Sequence, residues 1–128
     1  MDMKTMSKTV EKFTLREPVT LEDLYALMTQ RWTAQLPGNF KLKKGLFGKS
    51  IQFDVYMNMQ PKVTVKDNVV TVRRWESSTQ VNGIDFKAAT QRIDALGSGG
   101  LKKAAFGGLE YFIGVCDAMR ELLSDKII

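Results

Sequence analysis

From Leu101 to Leu123 the apolar side chains recur with a helical period. At ~100° per residue, Leu101, Ala105, Gly108, Phe112, Val115, Met119 and Leu123 fall on one side, with Ala104, Cys116 and Leu122 at the shoulders. Lys103, Glu110, Asp117 and Glu121 form a narrow polar stripe opposite, so the segment predicts a nearly surrounded helix that does not span a membrane. Phe106, Leu109 and Ile113 lie on one flank between stripe and core, where an apolar patch reads as a homo-oligomer interface. Gly107, Gly114 and Ala118 lie on the other flank. Glycine weakens a helix interior, so these positions predict that another backbone packs closely there.

The rest of the chain alternates with period two more than with period 3.6. Val10 to Arg16 predicts a strand with Phe13 and Leu15 facing one way and Lys12, Thr14 and Arg16 the other. Thr20 then stands where a helix N-cap belongs, with Glu22 and Asp23 suiting the positive end of the dipole. Leu21, Leu24, Tyr25, Met28 and Trp32 mark one face of that helix, which ends before Pro37-Gly38. Phe40 to Lys44 alternates, Gly45-Leu46-Phe47-Gly48 turns the chain, and Ser50 to Gln60 predicts a long strand. In it Ile51, Phe53, Val55, Met57 and Met59 oppose Gln52, Asp54, Tyr56, Asn58 and Gln60. Pro61 marks a break or an edge. Lys62 to Trp75 predicts a hairpin turning at Asp67-Asn68, in register so that Val65 meets Val70 and Val63 meets Val72. After a polar connection with a short strand near Val81, Asp85 to Leu96 predicts a helix on Phe86, Ala89, Ile93 and Leu96. Gly97 to Gly100 joins it to the last helix.

The order β-α-β-β-β-β-α-α, with strands that are apolar on one side only, predicts an α+β two-layer sandwich. One mainly antiparallel sheet of about five strands would carry helices on one face, with the long C-terminal helix across it. The order of elements is similar to that of helix-grip and TATA-binding-protein-like architectures, which host many functions. Residues 1–8 read as a disordered lead-in, without the apolar run of a signal peptide, and 9–128 as one domain. The expected location is cytoplasmic.

Composition narrows the chemistry. The chain has no histidine and one cysteine, which excludes Ser-His-Asp and Cys-His catalysis, imidazole zinc ligands and an intrachain disulfide. Cys116 reads as an inert thiol on an apolar shoulder. No cofactor motif is present. Gly97-Ser98-Gly99-Gly100-Leu101-Lys102-Lys103 lacks the spacing and the terminal Lys-Ser/Thr of a phosphate loop and follows a helix where that motif needs a strand.

Charge changes the picture most. The whole chain nets +5, but Gly38 to Trp75 alone nets +6, so the positive excess belongs to the middle strands. If the valines and the Ile51 row face the helices, Lys41, Lys43, Gln52, Asp54, Tyr56, Lys62, Thr64, Lys66, Thr71, Arg73 and Trp75 share the open face. Basic faces with aromatic platforms suit nucleic acids or other polyanions, although lysine and threonine are also ordinary on a solvated strand. The candidate partner-binding residues are Lys41, Lys43, Lys44, Lys49, Tyr56, Lys62, Arg73 and Trp75, the last of which alternatively caps the core edge. Leu46 and Phe47, framed by lysines, either fold back as a lid on the core or dip into an anionic membrane surface or a partner's groove. The lid is the expectation.

The reading is therefore a non-catalytic module and homo-oligomer with an anionic partner, without integral membrane association. Two alternatives stay open. A small apolar ligand could be carried or sensed in a cavity between sheet and C-terminal helix lined by Met28, Met57, Met59 and Met119. An enzyme could use carboxylates that the sequence does not bring together.

Overall fold

The computed structural model describes residues 9–46, 48–57, 59–75, 80–81, 84–85 and 100–128, and the side chains within these spans except at 80–85 and 100–106. The elements are β1 (Val10–Thr14), α1 (Leu21–Arg31), β2 (Phe40–Gly45), β3 (Gly48–Phe53), β4 (Lys62–Lys66), β5 (Val69–Arg73), the two-residue strands β6 (Gln80–Val81) and β7 (Ile84–Asp85), and α2 (Gly100–Leu122). Strands β1 to β5 form one antiparallel sheet in the order β1-β5-β4-β3-β2, while β6 and β7 pair only with each other. With both helices on one face, this is the α+β two-layer sandwich that the pattern predicts. The helix expected from Asp85 to Leu96 and the Gly97 to Gly99 connector lie outside the described residues, except that Asp85 belongs to β7.

Local chemistry sets several elements. Thr20 caps α1, its Oγ1 accepting from the Asp23 amide at 3.0 Å, which satisfies one of the otherwise orphaned first-turn N–H groups. The β4–β5 hairpin turns at Asp67, whose φ of 56° is the left-handed value that a tight turn requires and that aspartate tolerates. Its register pairs Val65 with Val70 and Val63 with Val72. Gly48, at φ 124°, reverses the chain between β2 and β3.

The core lies between the sheet and the two helices. Phe13, Ile51, Phe53, Val63, Val70 and Val72 from the sheet meet Leu24 and Met28 of α1 and Leu109, Phe112, Val115 and Met119 of α2, all at most 5% exposed. Each such side chain contributes about 1.5–3 kcal/mol relative to exposure. Phe40 and Phe53, paired across β2 and β3, stack at 5.5 Å and hold Trp32 at 5.4 and 5.6 Å, so aromatic edges clamp the end of α1 to the sheet. Among the described side chains of α2 the exposed ones are Glu110, Asp117, Arg120 and Glu121, which include the stripe that its period predicts apart from Lys103, whose side chain lies outside them.

The strand expected from Ser50 to Gln60 is half that length. β3 ends at Phe53, and Tyr56 and Met59 exchange both backbone hydrogen bonds at 2.9 Å around a tight reversal in which Met57 takes a φ of 48°. Val55 and Met57 consequently leave the core and are 55% and 43% exposed, whereas Met59 is buried. The reversal lets α2 approach, since a Cβ at Gly108 would stand 2.9 Å from the Met57 carbonyl oxygen. Among the described residues no helix is long and apolar enough to cross a membrane.

Candidate polyanion-binding face

Side chains of residues paired across antiparallel strands point to the same face, so the ladder registers sort the sheet without ambiguity. One row crosses all five strands as Val10–Arg73–Lys62–Gln52–Lys41. A second places Lys12 beside Thr71 and Thr71 beside Thr64, with Lys43 opposite Ser50 at the far side, and a third joins Thr14, Val69 and Lys66. The face turned away from the helices therefore carries Lys12, Lys41, Lys43, Lys62, Lys66 and Arg73. None of its described strand positions is a carboxylate. Thr71 at its centre is only 7% exposed, walled in by the longer side chains around it. A shallow concavity of about 430 Å³ follows these rows, lined by Lys12, Lys66, Thr71 and Arg73 and, from the β4–β5 turn, by Asp67.

Trp75 joins this face and does not cap the core. The Lys62 ammonium lies over its indole at 5.2 Å from the ring centroid, and the ring is 44% exposed. The Gln60 amide donates to the Trp75 carbonyl at 2.8 Å, fixing the backbone that carries the ring just past β5.

Other candidates fall elsewhere. Lys44 and Lys49 pair with each other, one residue out of step with Lys43 and Ser50, and so point to the helix face. There Lys49 donates to Glu22 of α1 at 2.6 Å. That hydrogen bond, with help from the Glu22 backbone, holds the Glu22 carboxyl below its ordinary range. Tyr56 sits on the reversal after β3 and meets the ring of Tyr111 of α2 edge-on at 5.8 Å, which places it against a helix. Asp54 lies just beyond β3, its carboxylate accepting from the Asn39 amide at 3.0 Å. Leu46 is no lid: at 98% exposure it stands free of the core at the tip of the β2–β3 hairpin. Phe47 lies outside the described residues.

Of the flank read as an oligomer interface, Leu109 is 1% exposed and belongs to the chain's own core, since α2 is turned further toward the sheet than its apolar period implies. Ile113 is half-buried, and the side chain of Phe106 lies outside the described residues. Met28, Met59 and Met119 are at most 1% exposed and pack in the core, while Met57 is on the surface reversal. Cys116 is buried. Among the described residues no three of Cys, Asp and Glu converge as a metal site would require.

Lys12 is the basic residue of this face that the sequence did not assign to it. Its alternation with Phe13 gives its orientation, but only the pairing of β1 with β5 places it in these rows, on the edge strand beside Thr71. No family model matches the sequence, and neither a curated protein nor a solved structure matches it.

Proposed function

We propose that this chain is a non-catalytic module that binds an anionic partner, a nucleic acid or another polyanion, on the open face of its sheet. The observation that supports this reading most is the co-facial set Lys12, Lys41, Lys43, Lys62, Lys66 and Arg73, unbroken by any carboxylate among the described strand positions. Like charges on neighbouring strands repel one another, and a polyanion relieves that repulsion while releasing its own counterions. The test is titration of fluorescent oligonucleotides and of heparin over a range of salt concentrations. Affinity should fall linearly on a log–log plot, with a slope of about 0.7 per phosphate contacted for a single strand. Replacing Lys41, Lys62 and Arg73 together by Glu should weaken binding by more than about tenfold. Salt-independent binding, or none, refutes the proposal.

Carriage of a small apolar ligand is the second reading. It is favoured by a concavity of about 310 Å³ lined in part by Leu15, Val19, Leu24, Leu27 and Leu123. This concavity is beside α1 and the end of α2, and not among the core methionines. Thermal melting with medium-chain fatty acids tests it, since a ligand bound by the folded state alone raises the midpoint with concentration.

A further inference from the structure

We infer that the anionic partner is a single-stranded nucleic acid, with one base stacked on Trp75 and adjoining phosphates held by Lys62, Arg73 and Lys41. This rests on the polyanion reading of the same face and narrows it.

The inference starts from what a bare polyanion would not need. Heparin or a polyphosphate requires only cations, yet the basic face ends in a large aromatic ring that stays 44% exposed. Exposing an indole forgoes the burial that ordinarily rewards it. The backbone carbonyl of Trp75 accepts from the Gln60 amide, which holds the main chain that carries the ring, and the Lys62 ammonium lies 5.2 Å from the ring centroid. Lys62 therefore covers one side of the ring with a positive charge, while the residue stays 44% exposed. In the ladder Lys62 stands next to both Arg73 and Gln52, and Gln52 next to Lys41. With strands roughly 4.8 Å apart, this row offers a backbone track leading away from the ring, interrupted by one uncharged amide, Gln52, whose Nε2 donates to Ser50 Oγ at 3.1 Å.

A duplex fits less well. Its bases are already stacked inside, so an indole outside has none to receive, and its grooves are read by a helix or ribbon that enters them. Among the described residues the one such element, the end of the β2–β3 hairpin, turns Lys44 and Lys49 to the helix side of the sheet and leaves only Lys43 on this face. Unstacked bases on an aromatic platform beside a cationic track are the usual terms of single-strand binding.

The experiment compares three probes of equal length, namely oligothymidylate, an abasic oligodeoxyribonucleotide and a duplex, against the wild-type chain, Trp75→Ala and Trp75→Phe. Trp75→Ala should weaken oligothymidylate binding by about tenfold or more, leave the abasic strand unaffected and keep the salt slope. Trp75→Phe should recover most of the loss, and the duplex should bind more weakly than oligothymidylate. Tryptophan fluorescence of the wild-type chain provides a measurement free of any variant: oligothymidylate should quench it and the abasic strand should not. Equal quenching by both strands, indifference to Trp75→Ala, or a duplex bound as tightly as the single strand would overturn the inference and leave the polyanion reading standing. Failure of all probes and of heparin to bind in a salt-dependent way would overturn both.

Discussion

The Tyr111 hydroxyl donates to the Asp54 carbonyl at 2.8 Å and so ties α2 to the point where β3 stops. Tyr111 is 2% exposed. Burial first, and the nearby Asp54 charge second, push its phenol up to about 12. Because this pKa is raised in the folded state, the stability it represents is whole below the ordinary tyrosine pKa near ~10 and is lost as pH climbs through the folded value. Between these limits the unfolded chain releases a proton that the folded chain retains. Urea denaturation from pH 9 to 12 should therefore show a decline on the order of 2 kcal/mol that Tyr111→Phe lacks. At neutral pH the same variant should lose about 1 kcal/mol for the missing hydrogen bond. Parallel pH profiles for the two proteins would refute this account.

Two adjacent glycines of α2 should respond in opposite ways to alanine. At Gly108 the new methyl would stand 2.9 Å from the Met57 carbonyl oxygen and 3.2 Å from the Met59 Cβ, both held by the reversal beneath the helix. At Gly107 it would meet the Met57 Cγ at 3.2 Å, an atom on a flexible side chain that can yield. Alanine improves helix propensity by about 1 kcal/mol in either place. Gly107→Ala should thus be neutral or stabilising by up to that amount, whereas Gly108→Ala should lose about 1–3 kcal/mol to overpacking. Midpoints of denaturant unfolding decide it.

What was legible in the sequence is what neighbouring residues decide. Thr20 and Asp23 announce a cap three residues long, and the Asp67 turn sets the valine register of its own hairpin. The reversal at Tyr56 to Met59 was hidden because Met57 occupies the left-handed region with neither glycine nor proline at hand, so the alternation ran on through a place where the chain turns back. Contacts distant in sequence were also hidden. Nothing local to β1 says that it pairs with β5, and that pairing alone brings Lys12 into the basic face. The orientation of Lys44 and Lys49 is legible, however, since each stands two residues from a side chain of the helix face, Lys44 from Leu42 and Lys49 from Ile51.

That difference in orientation yields a test matched in charge. Lys41→Ala with Lys62→Ala, and Lys44→Ala with Lys49→Ala, remove the same two charges from strands of one sheet, the first pair from the open face and the second from the helix face. If the open face binds phosphates of a single strand, the first pair should reduce the salt slope by about 0.7 per lysine and weaken binding accordingly. The second should change affinity little and leave the slope alone. Its one structural cost is the exposed ion pair with Glu22, which contributes little to stability. Equal losses from both pairs would mean that net charge, and not this face, governs association.

Arg120 provides the last expectation, because it joins the two layers through one side chain. Its Nη2 donates to Glu11 Oε1 at 2.7 Å, its Nη1 donates to Asp117 at 2.9 Å on the same helix, and its guanidinium lies over the Phe13 ring at 5.7 Å. Glu11 sits opposite Val72 in the ladder, on the helix face of β1, with its side chain 13% exposed. The pairing with Glu11 is the main reason the guanidinium holds its proton more firmly than usual. Asp117 is 65% exposed, so Asp117→Asn should be near neutral. Arg120→Met keeps much of the packing length but removes the guanidinium and its hydrogen bond from a largely buried carboxylate, and should cost about 1–2 kcal/mol once the half-exposed arginine's hydration is allowed for. Adding Glu11→Gln removes the charge that was left behind and should recover part of that loss. The double-mutant cycle measures the coupling directly: strict additivity of the two substitutions would show that the layers are held together without this pair.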